Sequence, residues 1–162
     1  LSPDISFMTA IQVRPAKLAD LPAVAALFDS YRQFYEQPPA LEAATGFIRA
    51  RMENSESTIL VAEDTTAATS DPLGFCQLYP SFCSVEIAPI FVLYDLFVTP
   101  AARGAGAGKA LLRAAHDHAA AHGAKRLDLT TAKTNHTAQA LYESLGWVRD
   151  EVFYAYNLRV KA

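Results

Sequence analysis

The stretch Val92–Ala115, V-L-Y-D-L-F-V-T-P-A-A-R-G-A-G-A-G-K-A-L-L-R-A-A, most narrows what this chain can fold into. An apolar run closes at Thr99-Pro100, glycines occupy alternate positions at Gly104, Gly106 and Gly108, and an alanine- and leucine-rich segment follows. Glycines let a backbone approach a ligand and turn its N–H groups outward. The helix start behind them leaves N–H donors without intrahelical partners and carries partial positive charge. Strand, glycine turn and helix start together predict an anion cradle, suited to phosphate or pyrophosphate. Arg103 and Lys109 add two cations at its edges.

Spacing separates the glycine motifs that compete for this turn. The mononucleotide loop G-x-x-x-x-G-K-[ST] would need glycine at Arg103 and a hydroxyl at Ala110. The dinucleotide fingerprint G-x-G-x-x-G would need a third glycine at Lys109 or Leu111. Both fail, and the turn lies about two-thirds of the way along the chain, whereas the dinucleotide fold opens with it. What fits is R-x-x-G-x-G, from Arg103, Gly106 and Gly108. This resembles the acyl-CoA pyrophosphate loop of the GCN5-related N-acetyltransferases (GNAT).

A second stretch, N-H-T-A-Q-A-L-Y-E-S-L-G-W from Asn135 to Trp147, resembles that family's N-x-x-A-x-x-x-Y-x-x-x-G-[FW] helix. Asn135 and Tyr142 stand seven residues apart, close to two helical turns, so both can project to one side. The resemblance implies that Asn135 hydrogen-bonds the pantetheine arm of the coenzyme and that Tyr142 protonates the departing thiolate. A neutral phenol is suited to that donation. On their own, Asn135 reads equally as a helix cap and Tyr142 as a core residue beside Leu141 and Leu145.

With 162 residues and 51% hydrophobic content, the chain can bury a real core as one domain. Residues 1–7 read as an N-terminal extension or a cloning remnant ahead of Met8, and residues 8–162 as a single N-acetyltransferase domain. The N-terminus has no export signal and no apolar run reaches spanning length, so no membrane partner is expected. A net charge of −3 without a basic block argues against a nucleic-acid surface. Cys76 and Cys83 make no disulfide framework and lack metal spacing, which favours a reducing cytoplasm.

Periodicity gives the order β-α-α-β-β-β-α-β-α-β. Strands are predicted at Ile11–Arg14, Thr58–Glu63, Gly74–Tyr79, Ile87–Val98 (interrupted by Pro89), Arg126–Thr131 and Val152–Val160, with a short one at Trp147–Arg149. A first helix, capped by Asp20 with Pro22 in its first turn, runs towards Tyr31 and Tyr35. A second spans about Ala40–Asn54, and Gly146 closes the last as its C′ residue. This is an α/β chain. The resemblance implies a mixed, mostly antiparallel sheet with a splayed central strand pair, flanked by about four helices.

It further implies acetyl-CoA as cosubstrate, held by Leu96, Phe97 and Val98 on a free strand edge. Arg103, Gly104, Ala105, Gly106, Ala107, Gly108 and Lys109 would cradle its pyrophosphate. The implied reaction is acetyl transfer to a primary amine, with a backbone N–H near Phe97–Val98 stabilising the oxyanion. L-Y-D-L-F-V looks most like the diamine/polyamine acetyltransferase branch, but Tyr94 stands where that branch has a glutamate and Asp95 keeps its second acid. Asp95, Glu86, Glu36 or a water chain held by Tyr94 are candidate bases, and Asp95 reads equally as a satisfied structural carboxylate. Tyr31, Tyr35 and Glu36, with Tyr94, would receive a cationic amine on aromatic faces, or simply end a helix with exposed rings.

The partners expected are therefore acetyl-CoA and a small-molecule amine such as a polyamine, diamine or amino acid. Protein lysine and a non-catalytic acyl-CoA sensor or scaffold are the alternatives. The aromatic tail Phe153-Tyr154-Ala155-Tyr156 suits a homodimer as well as a monomer core. No metal is expected: His118 and His122 are four apart, but no H-E-x-x-H completes them, and with His116 they read as a solvated helix face.

Overall fold

The structure is a computed structural model that describes residues 10–69 and 71–161; the extension expected over residues 1–7 lies outside them. Along the chain come β1 (Ile11–Pro15), α1 (Leu21–Phe34), α2 (Leu41–Glu53), β2 (Thr58–Asp64), β3 (Gly74–Cys83), β4 (Ala88–Val98), α3 (Ala107–Ala121), β5 (Leu127–Asp128) and α4 (His136–Ser144). Short 3-10 turns lie at Leu18–Asp20 and Pro100–Ala102. The chain divides into two units, Leu1–Thr130 and Thr131–Ala162.

In the first unit the strands follow chain order in one five-stranded sheet. β1 to β4 pair antiparallel and β5 joins β4 in parallel. Side chains alternate between faces, so ladder partners share a face. Val61, Phe75 and Phe97 are such partners, and they meet Leu21, Val24 and Leu27 of α1 and Ile48 of α2 in one apolar cluster. The opposite face carries Leu60 and Cys76, and α3 buries Leu111, Leu112, Ala115 and Ala119. Helices therefore cover the sheet on both sides.

Asp20 departs from the sequence expectation. It occupies the position before α1, but its carboxylate does not cap that helix. It accepts the Lys17 backbone N–H at 2.7 Å and two bonds from the Arg14 guanidinium at 2.8 and 2.9 Å. Arg14 also reaches Glu63 at 2.7 Å, tying β1, β2 and the 3-10 turn together. A guanidinium offers a planar fork to two carboxylates, and here it outcompetes a single helix N–H. The Arg14 bonds hold the Asp20 carboxyl down at about 2.

The strands also differ from their predicted bounds. β3 continues to Cys83 through Pro80, and β4 runs unbroken from Ala88 through Pro89, which pairs with Phe82. The strand expected over Arg126–Thr131 shrinks to Leu127–Asp128, which pair with Phe91 and Val92 of β4. Just beyond, between Gln77 and Leu78, the β3–β4 register shifts by one residue. A bulge bends the strand and ends pairing on its far side. From Leu93 to Val98 that edge of β4 has no partner strand among the described residues. This is the splay expected of the central pair.

The second unit holds α4. The Asn135 side-chain oxygen accepts the Ala138 N–H at 3.2 Å and so caps it. At the other end Gly146 takes φ 89°, Trp147 N–H reaches Tyr142 O and Gly146 N–H reaches Glu143 O, which makes a Schellman stop. Residues 148–161 carry neither helix nor strand, so the strands expected at Trp147–Arg149 and Val152–Val160 do not form. Alternation gives a segment a face, but only a ladder makes it a strand. Among the described residues no helix is long and apolar enough to cross a membrane.

Gly74 opens β3 where β4 crosses closely. A Cβ there would stand 2.5 Å from Phe97 O and 3.1 Å from Val98 Cα. Gly74→Ala is expected to cost about 1–3 kcal/mol of stability, because backbone must move to admit the methyl group. Urea unfolding checks this, and an unchanged midpoint would show that the sheet absorbs it.

Candidate active site

The glycine turn is built as its spacing predicts. Gly104 and Gly106 take φ 84° and 90°, a region closed to most side chains, and Gly106 is the residue before α3. A Cβ at either would meet nothing within 4 Å, so both are needed for their backbone angles while the space over them stays open. Gly108 lies inside the first turn of α3 instead. The first helical hydrogen bond runs from Ala110 N–H to Gly106 O. Among the described residues no group accepts from the N–H of Ala107, Gly108 or Lys109. Three N–H groups without an acceptor among the described residues, at a helix start with exposed Lys109 beside them, suit a pyrophosphate. Arg103 folds back, its Nε donating to Val98 O at 3.3 Å and its guanidinium 5.9 and 6.0 Å from the Phe97 and Phe34 rings.

The free edge of β4 carries Leu96, Phe97 and Val98 directly ahead of this turn. The bulge falls on Tyr94, since Asp95 pairs with Gln77 while Leu93 pairs with Leu78. Tyr94 is thrown outward and 64% exposed, its ring edge-on to Tyr79 at 5.5 Å. The Tyr31 hydroxyl of α1 donates to the Tyr94 carbonyl at 3.0 Å. Tyr35 stands edge-on to Tyr31 at 5.1 Å, and Phe75 and Phe97 back Tyr31 at 6.3 and 6.5 Å. The structure thus gathers Tyr31, Tyr35 and Tyr94. Glu36 lies beyond α1 in left-handed backbone, exposed and without a side-chain partner among the described residues.

Asp95 is buried at 7% exposure, on the sheet face that α1 covers. Gln77 Nε2 donates to it at 2.6 Å, and the Gln77 oxygen in turn accepts the Ser57 hydroxyl at 2.7 Å. Burial raises its carboxyl above the ordinary range, while hydrogen bonds from Gln77 and Tyr31 oppose that shift. Tyr31 has one hydroxyl proton and two acceptors for it, the Tyr94 carbonyl and the Asp95 carboxylate. Glu86, another candidate base, is held by Arg126 at 2.8 Å.

Sequence reasoning missed Gln77, Ser57 and Tyr79. The only signal available was a glutamine inside an apolar strand, since a buried amide demands partners. Burial lifts the Tyr79 hydroxyl to about 12, so it remains a neutral phenol. In the second unit, Asn135 spends its oxygen on the cap, and its amide nitrogen has no partner among the described residues. Tyr142 sits on α4 with its ring 5.9 Å from Trp147.

The histidines correct one expectation. His118 is not a solvated residue: its Nε2 lies 3.1 Å from Thr58 Oγ1 and its ring packs 5.3 Å from Phe91. His122 stacks on it at 4.1 Å and is bonded through Nδ1 to the His118 carbonyl. Burial and the neighbouring ring lower the pKa of His118. Among the described residues no group of three or more metal-type side chains gathers.

The raised carboxyl of Asp95 has a thermodynamic sign. The folded state retains its proton above the ordinary carboxylate pKa of 3.8, where the unfolded chain has lost it. Stability then falls as pH rises from about 4, by at most about 1.4 kcal/mol per pH unit. Asp95→Asn is expected to flatten that slope in urea midpoints taken between pH 4 and 8. An identical slope in both proteins would mean that the native carboxyl titrates normally.

Comparison with known proteins agrees with the geometry. The Acetyltransferase (GNAT) family profile matches residues 21–147. An uncharacterized N-acetyltransferase of Bacillus subtilis, YhfO, is 47% identical over 152 residues, covering 94% of this chain and 99% of its own. The D-amino-acid N-acetyltransferase HPA3 of Saccharomyces cerevisiae is 29% identical, with 81% of each chain covered. The crystal structure of a probable acetyltransferase superposes with a TM-score of 0.85 at 35% identity, over 93% of this chain and 99% of that one. An open glycine turn, a half-paired central strand and a profile spanning most of the chain identify this protein as a member of the GNAT acetyltransferase family.

Proposed function

We propose that the chain transfers an acetyl group from acetyl-CoA to the primary amine of a small molecule, by direct attack with both substrates bound. One observation carries the reading: within a single unit, the unpaired edge of β4 leads straight into three unpartnered N–H groups at the start of α3. The N–H groups of Ala107, Gly108 and Lys109, with Arg103 and Lys109 as cations, would hold the pyrophosphate; the Gly104–Gly106 turn keeps the approach open. Leu96, Phe97 and Val98 would pair with the pantetheine arm. When bound, the coenzyme supplies an activated thioester.

The remaining chemistry belongs to the protein. A free N–H near Phe97–Val98 is placed to donate to the acyl oxygen as it gains charge. An ammonium acceptor must lose a proton before it attacks. Tyr94 offers a hydroxyl for a water chain, and Asp95 takes part through Tyr31 rather than by touching the amine. Asn135 and Tyr142 would take the parts their motif implies, the amide holding the coenzyme and the phenol protonating the leaving sulfur. Aromatic faces from Tyr31, Tyr35, Tyr79 and Tyr94 suit a compact cation. The acceptor named for the yeast relative makes amino acids the first class to test, ahead of diamines and polyamines. The unpaired cysteines Cys76 and Cys83 fit the cytoplasmic setting expected from the sequence.

Thiol release from acetyl-CoA across D- and L-amino acids, short diamines, spermidine and a lysine peptide tests the proposal. Turnover with one small-amine class is the expected result. Turnover with the peptide alone would replace it with a protein acetyltransferase. A CoA-dependent rise in melting temperature without turnover on any arm would leave a coenzyme-binding module. Gly106→Glu should abolish coenzyme binding in calorimetry, since a carboxylate would enter the open space over the turn; unchanged affinity would reject the loop assignment. Tyr142→Phe should lower kcat by about 10²–10⁴-fold with little change in coenzyme affinity. A wild-type kcat would remove Tyr142 as the acid.

A further inference from the structure

Gln77 is a buried polar side chain that the steps of acetyl transfer leave without a task. It lies inside β3 at 0% exposure, between buried Cys76 and Leu78. A buried amide needs partners, and this one has them at both ends. Its oxygen accepts the Ser57 hydroxyl at 2.7 Å, and its nitrogen donates to Asp95 at 2.6 Å. Stability alone does not require such a group, since an apolar replacement of both partners can leave a core equally stable.

The direction of the amide matters. Ser57 gives its proton to the Gln77 oxygen, which leaves the NH₂ end turned towards Asp95. A donor beside a carboxyl favours its charged form, whereas burial favours the neutral one. The titratable groups that interact with Asp95 are Tyr31 of α1 and Cys76 and Tyr79 of β3, and none of these is a cation. Arg51 and Glu56 act on Tyr79, one step removed. Gln77 and Tyr31 are thus the groups that oppose the desolvation of Asp95. A charged Asp95 draws the single Tyr31 proton, because a carboxylate is a stronger acceptor than an amide carbonyl. A neutral Asp95 leaves that proton on the Tyr94 carbonyl, 3.0 Å from the Tyr31 oxygen. The carbonyl is therefore bonded in one state and open in the other, at the bulge where the Tyr94 ring stands exposed.

We propose that Gln77, its amide turned by Ser57, is a positioning residue that directs the Tyr31 proton to Asp95 and so opens the Tyr94 carbonyl to an N–H of the acceptor amine. All five residues belong to the first unit. The consequence for turnover rests on the acetyl-transfer reading, whereas the direction of the hydrogen bonds does not.

Carbon-13 titration of the full chain between pH 4 and 8, following the Asp95 carboxyl and the Tyr94 carbonyl, tests the hydrogen bonds without any substrate. The expected result is that both resonances move with one midpoint and that Gln77→Leu carries both midpoints to higher pH. Ser57→Ala should act in the same direction, and Ser57→Thr, which keeps the hydroxyl, should titrate as the unsubstituted chain does. With an amine that is turned over, Gln77→Leu should raise the acceptor KM about 10-fold at neutral pH, with a smaller change in kcat. That ratio should fall towards one as pH rises past both midpoints. A Tyr94 resonance that ignores the titration of Asp95 would overturn the inference, as would an Asp95 midpoint indifferent to Gln77→Leu. Shifted midpoints with an unchanged KM at every pH would overturn the positioning role and leave acetyl transfer standing. A chain that turns over no amine would remove the acetyl-transfer reading, and the two resonances would then decide the inference. If Gln77→Leu fails to fold, Ser57→Ala and the paired titration of the unsubstituted chain decide it.

Discussion

Much of this molecule follows from β4 having a full partner on one side and only two residues of partner on the other. Backbone polar groups that find no strand must find something else, and water or a ligand are the choices. The bulge at Tyr94 is the local cause. It turns one side chain outward, sets Asp95 on the covered face and frees the edge that runs into the glycine turn. One extra residue in a ladder thereby sets an exposed ring and a buried acid side by side, a few residues ahead of the glycine turn.

What could be read beforehand was whatever depends on local geometry. Gly104 and Gly106 adopt the left-handed angles that their spacing demands, Gly146 ends α4, and α1 and α2 lie within a residue or two of where periodicity puts them. What could not be read depends on partners distant in sequence. Asp20 has the look of a helix cap, but Arg14 claims it, and Glu63 joins from another strand. Gly74 looks like any strand glycine until Phe97 O is found 2.5 Å from its missing Cβ. The tail has a strand's alternation, but no periodicity says where its ladder lies.

The same distinction divides the candidate site. The motifs R-x-x-G-x-G and N-x-x-A-x-x-x-Y mark backbone conformations and helix faces, so they are legible as sequence patterns. The Ser57–Gln77–Asp95–Tyr31 chain draws on β2, β3, β4 and α1 or their flanks, and no pattern announces it. The bulge separates two neighbouring side chains along this chain. The outward position is aromatic, and the acid is kept one residue away, beneath it.

Asn135 has a consequence of its own. Its oxygen is committed to the start of α4, and its nitrogen is not. The two ends of one amide therefore stand in different situations, one bound into the fold and the other without a partner among the described residues. An aspartate would keep the cap and lose the N–H donor. A side chain without an acceptor would unsettle the helix and, with it, the angle of Tyr142. Helix capping and hydrogen-bond donation are thus divisible at a single planar group, so the donor can be removed without touching the architecture.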